Sequence, residues 1–145
     1  MIKKFIKIIT ILALTNNINN FVFANNIKIK FENKLTIMLE LADTEKKRRI
    51  GLMSRERLGK YSGMFFDYKE LSKVKIWMKD TLIPLDIIFL NKNKIVYIKR
   101  NALPCLEPDS NCPTFSAEEL VDSVIEVNAG IVDEYNLKIG DIIFY

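Results

Sequence analysis

The chain contains no histidine. That removes Ser-His-Asp and Cys-His mechanisms within one chain, and histidine-ligated zinc with them. Any acid–base chemistry falls to Asp, Glu, Lys, Tyr or Cys. Cysteine is scarce: two in 145 residues, Cys105 and Cys112. Their spacing is not C-x-x-C, which argues against a thioredoxin-like redox motif. Long apolar runs are missing too. Phe5 to Leu14 is broken by Lys7 and Thr10, and a membrane-spanning helix needs about 20 residues.

Charge of one sign is also lacking. Of the 22 Lys and Arg, three (Lys3, Lys4 and Lys7) lie in the first 24 residues, which leaves 19 against 18 acids, a net of +1, from Asn25 onward. The basicity of the whole chain, +4, therefore belongs largely to its start. Residues 25–145 carry no field that would attract nucleic acid.

What is present begins with a leader. Lysines at 3 and 4, a short apolar stretch and Val22-Phe23-Ala24 follow the three-part layout of a secretory signal peptide, with cleavage near Ala24. An uncleaved anchor is the alternative; no cysteine near Ala24 offers a lipid attachment point. The expected product is a single domain, residues 25–145, periplasmic or secreted and with no transmembrane segment after cleavage. A chain of 121 residues buries about two-thirds of its unfolded surface. In an oxidising compartment Cys105 and Cys112 are expected to form a disulfide. Closing that short loop stabilises by roughly 2.5 kcal/mol. A metal or redox pair is the competing reading of the two thiols.

Period-two alternation dominates the rest. Ile27, Ile29 and Phe31, then Leu35, Ile37, Leu39 and Leu41, predict two strands joined by a tight turn at Asn33-Lys34. Asp43-Thr44 offers an N-cap, Glu45 can pair with Arg49, and Gly51 stops the helix, so residues 45–50 should be helical. A second turn is expected around Ser54 to Leu58. Strands follow at Met64-Phe66, Val74-Lys79, Ile87-Leu90 and Ile95-Ile98, the last two joined by a hairpin at 91–94. Residues 100–115 hold three of the four prolines and both cysteines; a long loop held by its bridge is expected. Ser116 and Glu119 have capping-box spacing, which predicts a helical turn. Val124 to Val127 reads as a strand, Ile131 to Tyr135 as a short helix with Asn136 as its left-handed cap, and Ile142 to Tyr145 as a last strand. Many short strands with small helices point to a closed or nearly closed sheet, because closure removes exposed edges.

Several strings together carry a resemblance: ADTEKKRRIGLMSRERL (42–58), GMFF (63–66), IWMKDTLIPLDIIFL (76–90), NALPC (101–105), CPTF (112–115) and NAGIVDEYNLKIGDII (128–143). They resemble domain of unknown function 192, a family of small, often exported bacterial and archaeal proteins. The resemblance implies an α+β, mainly β, compact barrel-like sheet of about eight short strands with two short helices, and no established activity. The family pattern usually has Asn where this chain has Asp80. Residues 137–143 are also similar to the glycine-aspartate turn of cradle-loop and double-psi barrels, an analogy of fold alone.

The candidate site residues fall in two groups. Trp77 and Lys79 share a strand face, with Asp80 and Asp86 close behind. A tryptophan beside a cation and an acid suits a sugar; the structural alternative is that Asp86, in an apolar strand, accepts hydrogen bonds from loop amides or an arginine. A glycosidase-like carboxylate pair would need a separation of about 5–9 Å across a cleft. Arg49 and Arg55, with Arg48 and Arg57, form the second group. They can clamp an anionic glycan or carboxylate, or lock onto Asp80 or Asp86. Met53, Met64 and Met78 read as core. Glu107, Asp109, Ser110 and Asn111 lack the EF-hand spacing and glycine, so no metal and no cofactor is expected. The leading function is an exported, non-catalytic module of the cell envelope that binds a small ligand or glycan. A small hydrolase or lyase using Asp and Lys, or a structural partner of another envelope protein, are the alternatives.

Overall fold

A computed structural model describes residues 25–32, 35–108 and 111–145. The leader (residues 1–24), the Asn33-Lys34 turn, Asp109 and Ser110 lie outside the described residues. The strands are β1 (Asn26–Phe31), β2 (Thr36–Ala42), β3 (Ser62–Ser72), β4 (Ile76–Trp77), β5 (Leu85–Asn91), β6 (Lys94–Ala102), β7 (Thr114–Phe115), β8 (Val121–Asn128) and β9 (Ile143–Phe144). The helices are α1 (Glu45–Ile50) and α2 (Ile131–Glu134). This is the mainly β, α+β arrangement expected, with nine strands among the described residues in place of about eight.

Seven strands form one sheet in the order β6-β5-β8-β3-β2-β1-β9, and β4 pairs with β7 as a separate ribbon. Every pairing is antiparallel except β2 with β3, whose connection carries α1. The sheet curls until its ends meet: the Ile95 and Ile143 amides donate to Asp141 and Asn93 at 2.9 Å each, and the Gly140 amide donates to Ile95 at 2.8 Å. The hairpin between β5 and β6 turns through Lys92 (φ 48°) and Asn93 (φ 68°). Positive φ at both central residues matches the right-handed twist of the flanking strands.

Strand alternation splits the buried side chains into two layers. Ile29, Ile37, Phe65, Ile88, Ile125 and Ile143 belong to a cluster to which all strands of the large sheet contribute, so it fills the inside of the curl. Leu85, Ile87, Phe89, Met64 and Phe66 point the other way, onto Ile76, Met78 and the Cys105–Cys112 pair. Central strands β3, β5 and β8 are therefore covered on both faces. Each buried Ile, Leu or Phe stabilises by about 1.5–3 kcal/mol. The β3–β8 approach depends on Gly63: a Cβ there would lie 2.1 Å from the Glu126 carbonyl oxygen and 2.8 Å from Leu39 Cδ2.

Local chemistry explains where expectation and structure part. Thr44 caps α1 by accepting from the Lys47 amide at 3.2 Å, and Gly51 ends the helix at φ 50°, ψ −134°, a conformation open to glycine. The exposed pair on this segment is Lys47 with Asp43 at 2.8 Å; among the described residues Glu45 and Arg49 form no ion pair. The second turn expected at 54–58 is displaced to 51–54, where the Ser54 amide donates to the Asp80 carbonyl at 2.8 Å. No helix forms at Ser116–Leu120. The Lys73 ammonium binds the carbonyls of Ala117 and Glu118 there, and Ala117 is buried. The long loop at 100–115 is partly laddered: β6 runs on to Ala102, β7 pairs with β4, and Cys105 bridges to Lys79 and Thr81. No helix among the described residues is long and apolar enough to cross a membrane.

Candidate functional site

On the outer face of the large sheet, beside the β4–β7 ribbon, lies a cleft of about 180 Å³. Local sequence brings each wall. The capped, glycine-terminated α1 presents Arg48 and Arg49 at its C-terminal end, and the turn after Gly51 adds Leu52. Strand β3 supplies Phe66 and, at its next outward position, Tyr68. Alternation along 74–79 buries Val74, Ile76 and Met78 and leaves Lys75 and Trp77 outward. Thr81, held by its amide on Met78 at 3.2 Å, reaches the cleft from the far side of that bend.

Glu126 also lines the cleft. It sits in the middle of β8, opposite Met64 on one side and Ile87 on the other, and is 5% exposed. Among the described residues its carboxyl group has no hydrogen-bond or ion-pair partner, and its oxygens open onto the cleft rather than being sealed in the layer. Burial pushes its pKa up from 4.5 to about 8, which favours the neutral acid, a form able to donate a hydrogen bond. Burial also pushes the Tyr68 hydroxyl up to about 12; nearby Arg48 opposes this and Glu126 adds to it. Arg48 is fixed by donating to the Asp67 carbonyl at 2.7 Å and by lying 5.0 Å from the Tyr68 ring centroid.

Two of the six residues singled out from the sequence, Arg49 and Trp77, line this cleft. Trp77 is 37% exposed, with Lys79 Nζ 5.3 Å from its ring centroid. Lys79 itself is half-buried and is not part of the lining. Asp80 is exposed at φ 53°, a left-handed conformation that Asn and Asp tolerate better than other non-glycine residues. The Asn of the family pattern and the Asp of this chain therefore satisfy the same backbone demand. Arg55 is clamped bidentately by Glu40, with Nη2 2.7 Å from Oε2 and a second bond from Nη1 to Oε1. Asp86 lies on the inner face of the sheet, 1% exposed. Its Oδ1 accepts from the Asn101 amide, and its Oδ2 accepts from the Gly130 and Val132 amides, all at 2.9 Å. Asp86 thus fastens the start of α2 to β5 through loop amides, and no arginine reaches it among the described residues.

Sequence reasoning passed over Glu126, Tyr68, Lys75 and Thr81. The signal for Glu126 was present: an acid inside the apolar run Val124-Ile125-Glu126-Val127, the same pattern that drew attention to Asp86. Glu126 is the one carboxyl group lining the cleft, so a facing carboxylate pair of the glycosidase kind is not assembled there. No cluster able to hold a metal ion occurs among the described residues. The Sγ atoms of Cys105 and Cys112 are 2.16 Å apart, and this link closes the loop just before β7, which pairs with β4.

A family profile described as Uncharacterized ACR, DUF192, matches residues 27–144. Two solved structures share the fold. A protein of unknown function from Novosphingobium aromaticivorans DSM 12444 is 28% identical at a TM-score of 0.72, over 83% of this chain and 85% of that one. A Sinorhizobium meliloti 1021 protein described as "a putative transcription regulator" is 32% identical at a TM-score of 0.71, over 82% of this chain and 91% of that one. No curated protein matches.

Proposed function

The chain belongs to the DUF192 family, and we propose that it serves as an exported, non-catalytic binding module of the cell envelope, with the Glu126 cleft as its small-ligand or glycan site. The observation that carries this reading is Glu126 itself. Its side chain is buried in the sheet while its carboxyl opens only onto the cleft, and a largely desolvated carboxyl without a protein partner costs stability. Such a group at the floor of a cleft suits one that meets its partner only when a ligand arrives. Trp77 on the rim offers an apolar, stackable wall. The volume, about 180 Å³, falls below the roughly 300–1,000 Å³ of drug-sized pockets, so the occupant is one ring or one small acid rather than a chain enclosed along its length. Export rests on the leader pattern of residues 1–24, and the bonded cysteines accord with an oxidising compartment. The regulator description of the Sinorhizobium protein is not carried over, because residues 25–145 are nearly balanced in charge and nucleic-acid binding draws on a basic surface.

Trp77 is the sole tryptophan, so its fluorescence reports on this cleft. Titration of the purified, disulfide-intact protein with a panel of monosaccharides, sugar acids and small organic acids should give a saturable change with at least one class. Glu126→Leu should weaken that binding about tenfold, the value of one lost hydrogen bond to a desolvated partner. A flat response across the whole panel sinks the binding reading.

A further inference from the structure

We infer that the ligand of this cleft is a small anion, bearing a carboxylate or a phosphate, held by Arg49 and Lys75 and accepting a hydrogen bond from Glu126. This rests on the binding reading above and specifies its chemistry. The polar groups lining the cleft are Arg48, Arg49, Tyr68, Lys75, Thr81 and Glu126. Three are cations. Arg48 is already committed to the Asp67 carbonyl and the Tyr68 ring. Arg49 and Lys75 have no hydrogen bond or ion pair among the described residues, and both are exposed at the mouth.

Donors therefore outnumber acceptors around the space. Guanidinium and ammonium groups only donate, and a tyrosine hydroxyl with its pKa pushed up to about 12 keeps its proton. The one group able to supply a negative charge to the cations is Glu126. It sits at the buried floor without an ion pair to either of them, and its burial favours the neutral acid. An ionised Glu126 would repel an anion; the protonated acid donates to one. A neutral sugar could accept hydrogen bonds from Arg49 and Lys75 but would leave their two positive charges uncompensated. An acceptor-rich anion satisfies both cations and the buried carboxyl together, with Arg49 suited to a bidentate grip on a planar carboxylate or a phosphate. The volume, about 180 Å³, limits the body that carries the charge to the size of a single sugar or a small acid.

The test compares four probes by Trp77 fluorescence and calorimetry at low and moderate salt: glucose, glucuronate, glucose 6-phosphate and inorganic phosphate. The expected result is that at least one anionic sugar binds about tenfold or more tightly than glucose, and that Arg49→Gln and Lys75→Gln each weaken it severalfold. Binding should also fall as salt rises. Glu126→Gln, which keeps a donor at the floor, should retain most of the affinity, whereas Glu126→Asp should not, because its shorter reach withdraws the donor. Preference for glucuronate assigns the carboxylate, preference for glucose 6-phosphate or phosphate assigns the phosphate, and either supports the inference. Equal binding of glucose and glucuronate with no effect of Arg49→Gln overturns it while leaving the binding module intact. Silence from all four, repeated in the wider panel, overturns both. Both glutamine variants at the rim change exposed residues, so circular dichroism should show them folded like the parent.

Discussion

Asp86 and Glu126 stand one rung apart on neighbouring strands: Asp86 opposite Val127, Glu126 opposite Ile87. They face opposite sides of the same sheet, and their exposures are 1% and 5%. By burial alone they are the same kind of residue. Their partners separate them. Asp86 accepts from the amides of Asn101, Gly130 and Val132, while Glu126 has no partner among the described residues. The first carboxyl is spent on architecture, joining β5, β6 and the start of α2 inside the curl. The second lines a cleft and joins nothing. A buried acid identifies a site only after its hydrogen bonds have been accounted for.

The contrast is sharpest when both carboxyls are deleted. Asp86→Ala leaves three amides, the Val132 amide buried among them, without their acceptor and should cost about 3–5 kcal/mol. Glu126→Leu removes an unpaired polar group from an apolar layer and should be neutral or stabilising at pH 8. Urea denaturation of both variants beside the parent measures the difference. Should the two variants unfold at the same midpoint, the distinction between a satisfied and an unsatisfied carboxyl has no energetic content here.

Much of this frame is legible in the sequence because it is local. Alternation marks β1 and β2; two apolar runs flanking a hairpin turn mark β5 and β6; Thr44 and Gly51 bracket α1; Asn136 takes φ 50° after α2, as its type and place suggest. Asp86 could be picked out as an acid in an apolar strand, and its partners could not. Its Oδ2 reaches amides 44 and 46 residues away, a distance in sequence that no short-range pattern encodes. The same limit hid Glu126. An acid between two valines and an isoleucine reads as a strand residue, and whether it has a partner depends on what α1 and the β4–β7 ribbon place over it. Local signals also lost to distant ones. The capping-box spacing at Ser116 and Glu119 yielded to the Lys73 ammonium 44 and 45 residues away. Of the four arginines offered as partners for Asp80 or Asp86, Arg55 pairs with Glu40 instead.

The disulfide divides the molecule along the same line. Cys105 and Cys112 belong to the outer layer with Ile76 and Met78, and the inner cluster contains neither. Replacing both with serine should cost roughly 2.5 kcal/mol by loop entropy, with the loss concentrated on the cleft side. Trp77 emission should shift to the red as β7 loosens from β4. The amides of Asn101, Gly130 and Val132, which bind Asp86, should keep most of their protection from hydrogen exchange. Equal loss of protection on both faces would mean that the two layers unfold as one.

The smallest effect is a slope. Burial raises the Glu126 pKa from 4.5 to about 8 in the folded chain, so between those values the folded state holds a proton that the unfolded state has released. Stability from this group is complete below pH 4.5, falls as pH rises, and stops falling once pH passes about 8. Within the window the loss approaches ~1.4 kcal/mol per pH unit. Glu126→Gln cannot titrate, so its stability should be flatter than the parent's between pH 6 and about 8, and the two curves should converge toward acid. Thermal unfolding at several pH values measures this directly. Parallel curves for parent and variant would show Glu126 to be ionised in the fold, and a charged floor would reverse the sign of the ligand proposed for this cleft.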